Sequence, residues 1–227
     1  MGSEDRSVGY VLFPQMSQLA GPVEDSVAVG ACRYAAGVIR LLSWNMDNQD
    51  LWETIPTDPG FDVALVQEAR RPGGLAALEL VPGLTEPWET SGWKRRNWRT
   101  AIARFSDEVS LRPHKLVAGH EASVDALEVS RPGTLTVADV VRGEETLFTV
   151  ASVYGVWESP AGHESPVYSD ASAHRLLSDV AGLVTKVHKH RLIVAGDWNI
   201  LYGYGEKGDR YWQAGTRACS TELKRCA

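Results

Sequence analysis

The stretch RLIVAGDWNI, residues 191–200, decides how this chain is read. Leu192, Ile193, Val194 and Ala195 form a short apolar run of the kind that makes a buried strand. Gly196 follows, and then Asp197, a Trp and Asn199 stand where the strand ends. A core strand that finishes on a carboxylate and an amide presents polar chemistry beyond its carboxyl end. In layered α/β folds, neighbouring strand ends converge there and ligands bind.

Two other runs share this design. VIRLLSW (38–44) is apolar and breaks at Asn45, Asp47 and Asn48, which are turn and cap residues. DVALVQE (62–68) starts after Pro59 and Gly60 and ends on Gln67 and Glu68. TAIARF (100–105) reads as a further short strand. TLTVADVV (134–141) and TLFTVASVY (146–154) alternate and flank Arg142–Gly143–Glu144–Glu145, a hairpin signal. An amphipathic helix is predicted over about 170–187. Ala173, Leu176, Leu177, Val180, Leu183, Val184 and Val187 form its buried stripe, with Ser169 or Asp170 as cap. Lys186, His188, Lys189 and His190 suit the negative end of its dipole better than a metal site. Strands outnumber helices in mixed order. The expected fold class is α/β (α+β): two packed β-sheets with helices outside.

Length and composition set the bounds. A chain of 227 residues suits one domain with a sizeable core. An apolar content of 44% with 23% charged residues suggests neither disorder nor a membrane protein. A net charge of −6 argues against a broadly basic surface, though not against a local basic patch. Cys32, Cys219 and Cys226 have no metal-ligand spacing, so a reducing compartment is expected. The start MGSEDRS lacks a basic signal-peptide region, and no run approaches the ~20 apolar residues of a membrane span. A cytoplasmic protein is the expectation. Residues 1–36 are weakly periodic and read as an extension, partly disordered, before a domain over 37–227.

Asn45 with Asp47, Glu68, and Asp197 with Asn199 stand at three strand ends. Asp47 and Glu68 on adjacent ends make a hard anionic oxygen site that suits Mg²⁺ or Mn²⁺. No Cys/His cluster offers a zinc site in its place. Asp197 is then placed to orient or deprotonate a water, and Asn199 to hold a phosphate. Singly, each residue reads as an ordinary solvated turn residue; the combination carries the inference.

LLSWNMDN (41–48), DVALVQE (62–68), VASVYG (150–155) and VAGDWN (194–199) together resemble the endonuclease/exonuclease/phosphatase superfamily, in order and spacing, over about 38–203. That group includes apurinic/apyrimidinic endonucleases, deoxyribonucleases, sphingomyelinases and inositol-polyphosphate phosphatases. The resemblance implies a four-layer α/β sandwich and metal-dependent phosphoester hydrolysis. It implies that Glu68 is the principal Mg²⁺ ligand, that Asn45 lies beside metal and phosphate, and that Asp47 is an acidic neighbour of the metal. Tyr154 resembles the phosphate-contacting Tyr of the apurinic endonuclease branch. Asp197 and Asn199 match the Asp and Asn of the Gly-Asp-x-Asn motif.

The sequence departs from that pattern in one respect. The family carries a late Asp-His pair on a final strand, and no Asp-His dipeptide occurs here. ILYGYGEKGDRYWQAGTRACSTELKRCA (200–227) offers no apolar strand or helix after Trp212, so the last strands of the second sheet are expected to be missing. A partner, or self-association, is then expected to cover that face. His163 lies just after the VYG segment, while His114, His120 and His174 are not placed to substitute. For substrate, WKRRNW (93–98) interleaves Lys94, Arg95 and Arg96 with Trp93 and Trp98, a mixture that suits phosphate contact and base stacking but also a solvated loop beside a buried Trp. GYGEKG (203–208) is a Gly-rich loop that can flank the site. A phosphodiesterase with nucleic acid as leading substrate is one reading. A catalytically incomplete remnant or binding module of the same fold is another, and hydrolysis of a small phosphoester or phospholipid a third.

Overall fold

The β-branched and alternating runs become strands. Among the described residues, the computed structural model has β1 (Val11–Gln15), β2 (Val27–Tyr34), β3 (Gly37–Asn45), β4 (Val63–Arg70), β5 (Glu79–Val81), β6 (Trp98–Arg104), β7 (Ser110–Pro113), β8 (Leu116–Ala118), β9 (Leu127–Val129), β10 (Leu135–Arg142), β11 (Glu145–Tyr154), α1 (Ser169–Ala181) and β12 (Leu192–Asp197). The structure describes residues 11–15, 27–34, 37–55, 60–74, 77–90, 96–121, 123, 125–156, 169–184 and 191–199. One sheet runs β2-β3-β4-β6-β5 and the other β1-β12-β11-β10-β7, with β8 and β9 as a small separate pair. Each large sheet is mixed: β3 and β4 are parallel between antiparallel neighbours β2 and β6, whereas in the other sheet β1, β12 and β11 run parallel and the β11–β10 and β10–β7 pairs are antiparallel. No helix among the described residues is long and apolar enough to cross a membrane.

Side chains two apart on a strand share a face, and this periodicity sorts the core into layers. Ile39, Leu41, Val63, Leu65 and Ile102 of the first sheet meet Val140, Phe148, Val150, Ile193 and Ala195 of the second. The outer face of the second sheet carries Val137, Ala151, Val153, Leu192 and Val194, which pack on Ala173, Leu176 and Val180 of α1. The outer face of the first carries Leu42, Trp44, Ala64 and Val66. They are covered by Trp52 and Ile55, from a 3₁₀ turn at Trp52–Thr54 and its exit, and by Trp88, whose ring meets Trp52 edge-on with centroids 6.0 Å apart. The two packed sheets follow the sequence reading; among the described residues the cover is a helix on one side and a 3₁₀ turn with loops on the other.

The layer between the sheets changes character along the strands. After Leu41 comes Ser43 and then Asn45; after Leu65, Gln67; after Val150, Ser152 and Tyr154; after Ala195, Asp197. Gln67 Nε2 donates to Ser152 Oγ at 3.0 Å, and Ser152 Oγ donates to the Val66 carbonyl at 2.8 Å. Thr100 and Thr136 also join the sheets, with hydroxyls 2.8 Å apart. In this belt the Gln67–Ser152 and Thr100–Thr136 pairs fix the register of one sheet on the other, while Ser43 Oγ and Gln67 Oε1 are buried without a hydrogen-bond partner among the described residues. Beyond it lie the polar strand ends.

Two readings need correction. Residues 11–15 and 27–34 belong to the sheets, so the folded unit begins before residue 37: β2 pairs along β3 from Val27↔Trp44 to Tyr34↔Gly37, and β1 runs parallel to β12. Pro14 and Gly30 weaken the local strand signal; Pro14 is tolerated because β1 is an edge strand. The helix stops at Ala181, before Gly182, where glycine disfavours continuation. Leu183, from the following turn, still packs in the helix-facing cluster. The reading of residues 186–190 lies outside the described residues, as does the proposed loss of final strands at 200–227. The predicted hairpin is present, with Gly143 at φ 59° in its turn.

Candidate active site

Glu68 owes its position to a break in the ladder. Val66 pairs with Ala101, but Ala69 pairs with Arg99, so Gln67 and Glu68 share the space opposite Thr100. In a regular strand Glu68 would point away from Gln67, into the outer layer. The bulge absorbs it with φ at 49°, a left-handed conformation that a non-glycine residue adopts at a cost of roughly 1–3 kcal/mol. Gln67 then remains between the sheets, Ala69 enters the outer cluster, and the Glu68 carboxylate turns toward the strand ends.

Asn45 connects the acidic groups. Its Nδ2 donates to Glu68 Oε1 at 3.0 Å and to Asp197 Oδ2 at 2.9 Å. Its Oδ1 accepts the Asp47 N–H at 2.9 Å, which fixes which end of the amide faces the carboxylates. Asp47 (φ 47°) and Asn48 (φ 56°) are both left-handed, so the chain reverses tightly after β3 and leaves the Asp47 side chain exposed beside Glu68.

The second sheet supplies the opposite wall. Asp197 Oδ1 accepts the Asn199 N–H at 2.8 Å, and Asn199, at φ 51°, donates its Nδ2 to the Gly155 carbonyl. The Gly155 N–H donates to the Asp197 carbonyl at 2.6 Å. A Cβ on Gly155 would lie 2.3 Å from the Trp198 carbonyl oxygen, so only glycine allows this approach. The Tyr154 phenol hydrogen-bonds to Glu68 and to Asn199. Trp98 of β6 meets the Tyr154 ring edge-on, centroids 4.9 Å apart, and the Arg96 guanidinium lies 5.1 Å from the Trp98 ring centre.

Burial dominates the electrostatics. It pushes the Asp197 carboxyl up to about 6, and the Glu68 charge adds to this, against hydrogen bonds from Asn199 and Asn45. Burial likewise raises Glu68, as does Asp47, while Asn45, Tyr154 and Arg96 favour its ionised form. Burial and both carboxylates push the Tyr154 phenol upward, so it stays protonated and donates to Glu68.

Glu68 and Asp47 are the residues of this end that could hold a hard divalent cation. Glu68 and Asp47 offer carboxylate oxygens, and repulsion with Asp197 is what a cation relieves. No three His, Cys, Asp or Glu side chains converge as a metal cage among the described residues. A Mg²⁺ site does not need one, because Mg²⁺ commonly takes one or two carboxylates and fills its octahedron with water and substrate phosphate.

Asn45, Asp47, Glu68, Tyr154, Asp197 and Asn199, singled out in the sequence, thus lie together at one end of the two sheets. Gly155 was missed; the glycine directly after the VY strand end was the available signal. His114 lies elsewhere, its Nε2 donating to Asp139 Oδ1 at 2.9 Å on the outer face of the second sheet. His163, Lys94, Arg95 and the 203–208 loop lie outside the described residues.

No family model and no curated protein sequence matches the chain. Among solved structures it is similar to the endonuclease domain of TRAS1, a telomere-specific non-LTR retrotransposon, at 15% sequence identity and a TM-score of 0.48, over 82% of this chain and 70% of that one.

Proposed function

We propose that this protein is a divalent-metal-dependent phosphoester hydrolase acting on phosphodiesters, with nucleic acid as its substrate class. The observation that carries the reading is the Asn45 amide, which holds Glu68 and Asp197 from opposite sheets at one strained, half-buried end. Glu68 and Asp47 would hold Mg²⁺ or Mn²⁺, which when bound supplies positive charge for a phosphoryl oxygen and the leaving group. Asp197 takes a proton from the attacking water as its oxygen bonds to phosphorus and the ester P–O bond breaks. A carboxyl near 6 is well suited to that task at neutral pH. Asn199 lies where it can meet the phosphate, and the protonated Tyr154 holds the Glu68 carboxylate in place by donating its single phenol hydrogen to it.

One observation favours a second reading. The sequence has no Asp-His dipeptide, so the familiar late partner of this site is not supplied by that motif. A binding module with a metal site but no turnover is the alternative. Nicking of supercoiled plasmid and of an abasic-site duplex in Mg²⁺, Mn²⁺ or EDTA separates the two. Metal-dependent nicking supports the hydrolase; a folded, metal-binding protein without nicking supports the module.

A further inference from the structure

Tyr154 is a second bridge between the sheets at the site, beside Asn45. Its phenol donates to Glu68 and accepts from Asn199. The ring is buried, yet it belongs to none of the three apolar clusters, and neither does Trp98. The core therefore does not account for either ring. They meet each other instead, at 79° with centroids 4.9 Å apart. Trp98 continues the face of Thr100 and Ile102, which points between the sheets, and it stands half-exposed where β6 begins.

The backbone fixes both rings. The Thr100 N–H donates to the Gly133 carbonyl at 2.9 Å and the Tyr154 N–H to the Thr134 carbonyl at 2.8 Å, so successive carbonyls of one turn anchor the two strands. Gly133, at φ 84°, packs against Thr90: a Cβ there would lie 2.3 Å from the Thr90 Cγ2. Thr90 exchanges two backbone hydrogen bonds with Arg96, at 3.0 and 3.1 Å. The Arg96 guanidinium lies 5.1 Å from the Trp98 ring centre, and its charge also acts on Glu68. These supports lead to one place, the hydrogen bond from Tyr154 to Glu68. That bond is directional, and an edge-on aromatic neighbour limits how the phenol ring can tilt. Hydrogen bonds to a ligating carboxylate from the layer behind it set how well it holds a metal.

We propose that Trp98 is a positioning residue for the metal site: its edge-on contact aims the Tyr154 phenol at Glu68 and so sets the affinity of that carboxylate for a divalent cation. This rests on the reading of Glu68 as a metal ligand, but the binding it predicts does not require turnover. Trp98 itself touches neither the metal nor the reacting atoms. Its whole effect passes through Tyr154, so it should disappear when the phenol is absent.

The test is a double-mutant cycle on Mn²⁺ affinity, read from the free-Mn²⁺ electron paramagnetic resonance signal, with the whole chain. Tyr154→Phe should weaken Mn²⁺ binding by about tenfold, as loss of a bond behind a metal ligand does. Trp98→Leu should weaken it by at least about threefold, and Trp98→Phe, which keeps an aromatic neighbour, should restore most of that loss. In the Tyr154→Phe background, Trp98→Leu should change the affinity by less than about twofold. Thermal melts accompany each variant, and Trp98→Met replaces Trp98→Leu in the cycle if the latter does not fold. Parent-like Mn²⁺ affinity in a folded Trp98→Leu or Trp98→Met variant overturns the proposal, and so does an equal loss with and without the phenol. A parent that binds no Mn²⁺ overturns the metal reading and the proposal with it. Mn²⁺ binding that follows the cycle, without hydrolysis of bis-p-nitrophenyl phosphate or DNA, leaves Trp98 in this role and removes the hydrolase reading.

Discussion

The Asn45 amide lies 2.9 Å from Asp197 Oδ2 and 3.0 Å from Glu68 Oε1, so a single side chain of the first sheet holds the carboxylate of its own neighbour strand and one from the second sheet. Asn45→Asp is nearly isosteric but loses both donations and adds a third carboxylate. It should destabilise the metal-free protein by about 2–4 kcal/mol at pH 7.5. The sign with pH is set by raised carboxyl pKa values: protonation returns donors to the cluster, so the penalty shrinks as pH falls toward 5. Chemical denaturation of both proteins at pH 7.5 and 5 checks this, and equal penalties at the two pH values would count against it.

Asp197, held near 6 by burial and by Glu68, sets an acid limb on activity. Below that pH the protonated carboxyl cannot take a proton from water. A bound cation lowers nearby carboxyls, so the limb of kcat/KM should lie at or below about 6 in saturating Mg²⁺. In the metal-free protein the same raised value means that the ionised carboxylate costs stability above pH 6, and that the cost vanishes below its ordinary 3.8. A pH profile from 4.5 to 8.5 with its acid limb above 7 would remove Asp197 from the base role.

Asp139 behaves in the opposite sense. Burial alone would raise it, but His114 and Thr149, together with Arg112 at 3.0 Å, hold it well below the usual carboxylate range. The stability it contributes is present above its ordinary 3.8 and is lost as pH falls through the lowered value. Asp139→Ala should cost on the order of 3 kcal/mol at pH 7 and clearly less at pH 3. Since the residue faces away from the site, the specific activity of the folded fraction should not change.

Gly155→Ala tests the close approach behind Tyr154. Its new Cβ would sit 2.3 Å from the Trp198 carbonyl, and Trp198 cannot withdraw without moving Asp197 and Asn199. A loss of roughly 1–3 kcal/mol is expected, with activity falling further than stability explains. Thermal melts beside turnover of the folded fraction measure both.

Much of this centre was legible because polar residues at strand ends interrupt otherwise apolar runs. Asn45, Glu68 and Asp197 could each be read that way. Their contacts could not: Asn45 and Asp197 are separated by 152 positions, and no local pattern reports which strands become neighbours. Strict alternation would put Glu68 on the outer face, and the bulge opposite Thr100 that turns it to the site leaves no mark in composition. β1 and β2 were missed because edge pairing is made by backbone groups, which Pro14 and Gly30 do not forbid at those positions. The helix was predicted too long because Leu183 continues its apolar spacing after the helix has ended.

The most direct measurement is the rate of bis-p-nitrophenyl phosphate hydrolysis by the whole chain and by Glu68→Gln, each in Mn²⁺, Mg²⁺ and EDTA, on samples matched for melting behaviour. The account predicts turnover that needs the metal and falls by about two orders of magnitude or more in the variant, as loss of a metal ligand or transition-state contact does. Turnover that survives in EDTA, or is equal in the two proteins, would contradict it.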